Sequence, residues 1–334
     1  MPHPGAGFFS SQDHRFSGVA VGRTGRRLPA GAVADENAPV RELQGTRALL
    51  TGAASGIGRA LALELAASGV HLYLADVDAE GLRETARLTQ PHGVVTRTWV
   101  GDLADPGKVD ELAQRALDEW GALQLLINNA GVAYYGSTRR MSDEQWDRLM
   151  GVNLLAPIRL TRRLLPMLCE QGDAHVVNLC SYLGLVAIRR ATAYSTSKFG
   201  LVGFSLALRN DYAKHFGVTA VCPGYVDTPL FTRMETSRDE RPQPPAWCTV
   251  SPRRVAQLTL RGVRRDQPVV VVTQMAKWSW LASRLAPGWF NRRHGRRRRA
   301  LSPPPRPPKA APEVAPEVAA ESPRASKPEA NERR

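Results

Sequence analysis

The sequence predicts an α/β protein built on a doubly wound parallel sheet of about seven strands, in one domain. Three observations carry this. Apolar runs of four to seven residues alternate with longer segments of helical spacing along residues 45–286. Several of these runs are apolar at every position, the pattern of strands covered on both faces. The first run, Arg47–Thr51, leads into a glycine-rich turn and then a helix.

The elements follow in order. After Arg47–Thr51, apolar residues at Ile57, Leu61 and Leu65 give helical spacing from Gly58 to Ser68, closed by Gly69. Further strands are expected at His71–Ala75, Val94–Val100, Leu123–Ile127, Ala174–Cys180, Val218–Cys222 and Val269–Val272. Helices fit the gaps at Ala79–Leu88, Gly107–Trp120, Asp143–Leu168, Thr192–Phe216 and Pro252–Arg265. Strand–helix alternation at this spacing implies crossovers and a parallel sheet. No internal repeat divides the stretch, so 45–286 reads as a single domain.

Both termini read differently. Residues 1–44 are rich in Gly, Ala, Arg and Ser without a sustained period, and are predicted to be a disordered leader. Residues 287–334 hold ten of the 25 prolines, including Pro303-Pro304-Pro305 and the near-repeat APEVAPEVA, and are predicted to be disordered or locally polyproline II. The net charge is +14, and this tail, with 12 Lys/Arg against 5 Asp/Glu, holds half of it. The four cysteines form no CxxC and the seven histidines are scattered, so neither a structural zinc site nor a disulfide framework is expected. No apolar run reaches the roughly 18–20 residues of a membrane span, and the N-terminus lacks the pattern of a signal peptide. The expected location is cytoplasmic.

The chemistry concentrates at the ends of the predicted strands. Thr51-Gly-Ala-Ala-Ser-Gly-Ile-Gly58 joins the first strand to the first helix. Its glycines at 52, 56 and 58 allow a tight turn and close approach of backbone to a pyrophosphate at a helix N-terminus. No Gly-Lys-Ser/Thr follows, so it is not a P-loop; alone, such a turn also reads as purely structural. Asp76 ends the second strand. A carboxylate there accepts hydrogen bonds from ribose hydroxyls and repels a 2′-phosphate, which favours NAD. The competing reading makes Asp76 or Asp78 a cap of the next helix, and nearby Arg59 softens the preference. Asp102 in Gly101-Asp102-Leu103 stands where an adenine would lie, although by itself it reads as a loop or cap residue.

Asn128-Asn129-Ala130-Gly131 follows the fourth strand, Ser181 follows the fifth, and Tyr194-Ser-Thr-Ser-Lys198 opens a helix. The four-residue offset puts Tyr194 and Lys198 on one helical face, where an ammonium favours the phenolate and lowers the phenol's pKa. The chain has only six lysines against 39 arginines, so a lysine here does what arginine does badly: offer a compact, rotatable ammonium. In isolation the favoured reading of the pair is a helix with an exposed Lys and a half-buried Tyr.

Taken together, these motifs resemble the short-chain dehydrogenase/reductase family in its single-domain form of about 250 residues, a Rossmann-type fold. The match runs from about Leu43 to Thr273. In order it comprises TGAASGIG at 51–58, Asp102, NNAG at 128–131, Asn153 in GVNLL, Ser181, YSTSK at 194–198 and PGYVDT at 223–228. The resemblance implies an NAD(P)-dependent oxidoreductase that interconverts a secondary alcohol and a ketone by hydride transfer, with no metal. It implies that Tyr194 is the general acid/base and that Ser181 orients the reacting oxygen. Lys198 would bind the nicotinamide ribose and tune Tyr194, while Asn153 anchors a water that links Lys198 to solvent. Gly52, Ser55, Gly56, Ile57, Gly58 and Asp76 would line the cofactor from one side. Asp102, Leu103, Asn129, Ala130 and Gly131 would line it from another, with Tyr194 and Lys198. Pro223, Gly224, Val226 and Thr228 complete the set, Thr228 holding the carboxamide with backbone near Val226. NAD is favoured over NADP on Asp76. The resemblance also implies a homodimer or homotetramer paired through the helices near 143–168 and 192–216.

Two departures bear on the substrate. Cys180 stands where the family often has a second serine, and reads as a small packed residue. The segment Thr228–Thr249, expected to hold a substrate lid, is rich in Arg and Pro. Ser181, Tyr194 and Tyr225 are the candidate substrate contacts. Tyr134, Tyr135, Tyr182, Val186 and Tyr225 would make an apolar wall suited to a hydrophobic, lipid- or steroid-like molecule, although half of them read equally well as core.

Past the sheet, Trp278, Leu281, Leu285 and Trp289 keep helical spacing, with Pro287 expected to end the regular helix and Arg292–Arg299 following at once. Three readings of this stretch are open: a helix packed over the pocket, which ranks first, peripheral membrane contact through 274–299, and nucleic-acid binding. The last ranks lowest because no recognition module accompanies it. For the chain as a whole, the alternative to an enzyme is a non-catalytic dinucleotide-binding protein whose basic tail contacts membrane or nucleic acid.

Overall fold

Strands that are apolar at every position need cover on both faces, and the computed structural model, which describes residues 42–237 and 246–294, supplies it. β1 (Arg47–Thr51), β2 (His71–Asp76), β3 (Thr96–Val100) and β4 (Leu125–Asn128) alternate with α1 (Gly56–Ala67), α2 (Ala79–Thr89) and α3 (Pro106–Trp120). After β5 (Tyr134–Tyr135) come α4 (Asp143–Met150), a π-helical turn over Gly151–Leu155, and α5 (Ala156–Gln171). β6 (His175–Leu179), α6 (Thr192–Tyr212), β7 (Gly217–Cys222), β8 (Tyr225–Val226), α7 (Leu230–Arg233) and β9 (Glu235–Thr236) follow. The described chain closes with β10 (Thr249–Val250), α8 (Pro252–Arg264), β11 (Val269–Val271), α9 (Gln274–Leu285) and α10 (Pro287–His294).

Seven strands form one sheet in the order β11-β7-β6-β4-β1-β2-β3, every neighbouring pair parallel. Strand order reverses at β1, which pairs with β2 on one side and β4 on the other. In open α/β sheets, ligands bind outside the carboxyl ends of strands at such a switch point. Side chains alternate across the sheet. Leu50, Leu72, Leu74, Ile127 and Val177 pack against Leu61, Leu65 and Val255 of α1 and α8. Leu49, Tyr73, Leu126 and Val176 pack on the other face against Leu112, Leu160 and Leu164 of α3 and α5. Each fully buried leucine contributes about 1.5–3 kcal/mol.

The helix starts are set by side-chain caps. Asp78 Oδ1 accepts from the Gly81 amide at 3.0 Å and Asp105 Oδ1 from the Gly107 amide at 2.7 Å. Ser142 and Gln145 form a capping box for α4.

Several boundaries shift by a few residues, and three differences from the sequence reading change the organisation. The helix expected over Asp143–Leu168 is two helices around the π turn. Leu43, inside the expected leader, is 3 % exposed and belongs to the core, so the ordered chain starts before residue 45. Pro287 opens α10 where the sequence puts the start of a disordered tail; proline's fixed φ and missing N–H suit the first helical position. The rest of the expected leader and tail, 1–41 and 295–334, lies outside the described residues. The described residues divide into two units, one running through Trp280 and one starting at Leu281. No helix among the described residues is long and apolar enough to cross a membrane.

Candidate active site

The site is assembled at the carboxyl edge of the sheet, beginning with the turn after β1. Gly52 has φ +67°, and a Cβ on it would stand 2.7 Å from the Ala130 Cα. The Asn129 side chain donates to the Thr51 and Gly52 carbonyls, both at 2.9 Å. The Thr51 hydroxyl in turn accepts from the Asn129 and Ala130 amides at 3.0 and 3.1 Å. The glycine turn and the Asn129–Ala130 segment are thus latched by side-chain-to-backbone hydrogen bonds in both directions. Ser55 precedes α1 without capping it through its side chain, which leaves the first amides of that helix for a ligand.

Asp76 accepts from the Ala54 amide at 2.9 Å and the Asp78 amide at 3.0 Å. Asp78, not Asp76, caps α2. Arg59 is committed elsewhere: its guanidinium donates to Thr85 Oγ1 at 3.0 Å and to the Ala54 and Gly81 carbonyls. Asp102 accepts from the Ala104 amide and pairs with Arg148 at 2.8 Å. Partial burial opposes its ionisation, but these two partners prevail and hold its carboxyl below the ordinary range.

A cavity of about 350 Å³ runs along this edge. Every predicted cofactor residue lines it except Gly224 and Val226, which line a second, neighbouring cavity of about 120 Å³. Arg148 from α4 and Arg233 from α7 also line the larger cavity, and the sequence reading missed both as site residues. Arg233 stands 3.8 Å from Asp78 across the mouth of the glycine turn. Arg148 lies within the predicted helix 143–168 and Arg233 within the Arg- and Pro-rich segment 228–249, and the fold is what brings both here.

Tyr194 lines both cavities, as do Cys180 and Thr228. The α6 helix presents Tyr194 and Lys198 together. Lys198, 4 % exposed, donates to the Leu179 carbonyl at 2.8 Å and places its Nζ 5.7 Å from the centre of the Tyr194 ring. Ser181 Oγ accepts from the Leu183 amide at 3.1 Å and hydrogen-bonds Tyr194. Asn153 sits fully buried in the π turn. Its Oδ1 accepts from the Val132 amide at 2.8 Å, and its Nδ2 donates to the Val132 carbonyl at 2.9 Å and Ser197 Oγ at 3.2 Å. Asn153 and Lys198 meet beside Gly131, where a Cβ would stand 3.3 Å from Asn153 Oδ1 and 3.7 Å from Lys198 Nζ.

The expected lowering of the Tyr194 pKa is not what this geometry gives. Burial pushes the phenol up to about 12, and the Ser181 hydrogen bond opposes that only in part. Burial also lowers Lys198. The low-dielectric surroundings outweigh the lysine's influence on the ring.

The smaller cavity is mostly apolar. Tyr134, Tyr135, Tyr182 and Tyr225 line it as expected, together with Phe231, Ile188 and Met234, which the sequence reading missed. Val186 does not line it; at 3 % exposure it is core. Tyr182 donates to the Tyr225 hydroxyl at 3.4 Å, and Tyr225 lies 5.9 Å from Phe231 between ring centres. Of the expected lid, α7 and β9 border the cavities; residues 238–245 lie outside the described residues.

Comparison with known proteins gives this arrangement its class. Residues 46–239 match the family model for short chain dehydrogenases, and the chain belongs to that family of oxidoreductase enzymes. It is 35 % identical to SadH of Mycobacterium tuberculosis strain H37Rv over 70 % of this chain and 88 % of that one. It is 30 % identical to estradiol 17-beta-dehydrogenase 11 of Pongo abelii over 75 % of this chain and 82 % of the relative. Among solved structures it is similar to a short chain dehydrogenase/reductase from Burkholderia phymatum in complex with NAD. That likeness has a TM-score of 0.67 and 27 % identity, covering 75 % of this chain and 96 % of that one.

Proposed function

We propose that the protein interconverts a hydrophobic secondary alcohol and its ketone, using NAD in the larger cavity. The observation that carries this reading is Tyr194, which borders both cavities and has Ser181 and Lys198 beside it. A dinucleotide fits the residues present: glycines at 52 and 58 leave no room for a side chain, and α1 keeps its first amides free of side-chain caps. The complex of the Burkholderia phymatum relative with NAD supports the same cofactor class. When bound, that cofactor supplies or accepts the hydride.

The chain's own residues do the rest. Tyr194 gives its proton to the ketone oxygen in reduction and takes it back in oxidation. Ser181 hydrogen-bonds the same oxygen, fixing the carbonyl against Tyr194. Lys198 holds the nicotinamide ribose, and Asn153 fixes the backbone around Val132 beside it. Asp76 accepts from the adenosine ribose hydroxyls, and Arg59 is already spent on Thr85 and backbone carbonyls. Substrate enters the smaller cavity against Tyr225 and Phe231, and the name of the Pongo abelii relative points to the steroid class.

The test is Tyr194→Phe. Turnover of a panel of secondary alcohols, sterols and acyl ketones, followed at the nicotinamide absorbance, should vanish while dinucleotide binding stays within about threefold. Retained turnover refutes the role given to Tyr194. Turnover of no substrate by the unaltered enzyme would return the chain to the non-catalytic, dinucleotide-binding alternative. We further infer a homo-oligomer, supported by Leu155, Phe199 and Leu206, which stand exposed on and next to α5 and α6; light scattering after size exclusion reads it directly.

A further inference from the structure

We propose that Leu281–Trp289, with the arginines that follow them in the sequence, docks the protein on an anionic lipid surface. Within nine residues, Leu281, Leu285 and Trp289 are 44, 76 and 59 % exposed. Single exposed apolar side chains are ordinary, but these three, spaced four residues apart across the end of α9 and the start of α10, are large and close together in the chain. The charge beside it has one sign. From Leu281 to Pro312 there are nine Lys/Arg and no Asp/Glu, and six of those arginines fall within 292–299. Arg284 and Arg292 are exposed within the helices themselves.

The two features need each other. Tryptophan and leucine insert at the boundary between headgroups and acyl chains, and each arginine near an anionic surface adds electrostatic attraction. One signal alone binds weakly and reversibly, whereas large apolar side chains next to a basic cluster supply two. Nucleic acid would engage the arginines but leave Leu285 and Trp289 in water. A second copy of this stretch would bring two strongly basic segments together. Ala276, early in α9, is fully buried and packs with Tyr182, Leu183 and Ala191, which line the smaller cavity, so the start of this helix backs that cavity wall and the lipid contact is assigned to the exposed residues after it.

The experiment is co-sedimentation of the full chain with phosphatidylcholine vesicles, with and without about one third phosphatidylserine. The full chain should bind the anionic vesicles at least about tenfold more tightly than the neutral ones, and added salt should weaken that binding. The double variant L285Q/W289Q should lose about tenfold in binding with its thermal transition unchanged. Should that variant not fold, R296Q/R297Q/R298Q/R299Q, which leaves Leu281, Leu285 and Trp289 in place, should lose the preference for anionic vesicles. Equal partitioning between the two vesicle types overturns the proposal. So does a folded L285Q/W289Q that binds vesicles as the parent does, or a full chain that prefers duplex DNA and keeps that preference when Leu285 and Trp289 are replaced.

Discussion

Lys198 stands over Tyr194, its Nζ 5.7 Å from the ring centre, while its hydrogen bond goes to the Leu179 carbonyl at 2.8 Å. The ammonium is therefore aimed by the end of β6, and α6 only delivers it. Arginine has no substitute geometry here: its fork is planar, larger and bound to carry charge, whereas burial already lowers the lysine. Lys198→Arg should reduce kcat/KM by about 10²-fold or more, and Lys198→Met by a similar factor. Steady-state kinetics with dinucleotide titration reads both, and activity near the parent level in either variant would show that the ammonium has no part in the reaction.

The Tyr194 pKa sets the direction of the pH response. A phenol pushed up to about 12 keeps its proton throughout the neutral range. Ketone reduction, which uses the protonated form, should be flat with pH from neutrality to mild alkali. Alcohol oxidation needs the phenolate, so its kcat/KM should climb by about tenfold per pH unit below the pKa. Rate profiles in both directions check this, and an oxidation rate that falls as pH rises would contradict it.

Much of this was legible because the physics is local. A parallel strand covered on both faces writes itself as an apolar run, and β1, β2, β4, β6 and β7 were readable on that ground. The glycine turn and the Tyr194–Lys198 offset were readable because each depends on a few adjacent positions. What escaped depends on distant parts of the chain. The π turn around Asn153 keeps helical periodicity, and its reason is the hydrogen-bond exchange with Val132 across 21 residues. Asp76 and Asp78 were interchangeable as caps until the Gly81 amide chose Asp78. Arg148 reaches the site only through Asp102, 46 positions away. The Tyr194 pKa failed for the same reason: burial is a sum over the whole fold, while the lysine four residues on was visible at once.

Asp76 offers a test of cofactor choice that separates electrostatics from structure. Its carboxylate holds the Ala54 and Asp78 amides, so replacing it loosens the glycine turn for any dinucleotide. The ratio of the two affinities isolates the charge. The parent should bind NADH more tightly than NADPH by at least about tenfold, and Asp76→Ser should shrink that ratio by about tenfold. Fluorescence titration with both cofactors measures it. A parent that prefers NADPH, or a ratio that Asp76→Ser leaves untouched, would show that this carboxylate does not select.

Two glycines make opposite predictions for the same substitution. A Cβ on Gly58 would lie 1.9 Å from the Gly52 carbonyl oxygen and 2.7 Å from Asn129 Nδ2, so the turn must open to admit it. Gly58→Ala should cost about 1–3 kcal/mol, lower Tm by several degrees and weaken dinucleotide binding by about tenfold or more. Gly203, on α6, has nothing within 4 Å of its added Cβ. Within a single chain the methyl group restricts the unfolded chain and suits the helix, so Gly203→Ala should stabilise the monomer by about 0.5–1 kcal/mol without touching cofactor affinity. Thermal unfolding at fixed protein concentration, paired with cofactor titration, compares the two. If Gly58→Ala binds dinucleotide as the parent does, the close packing of the turn on Gly52 and Asn129 is not what shapes the cofactor cavity.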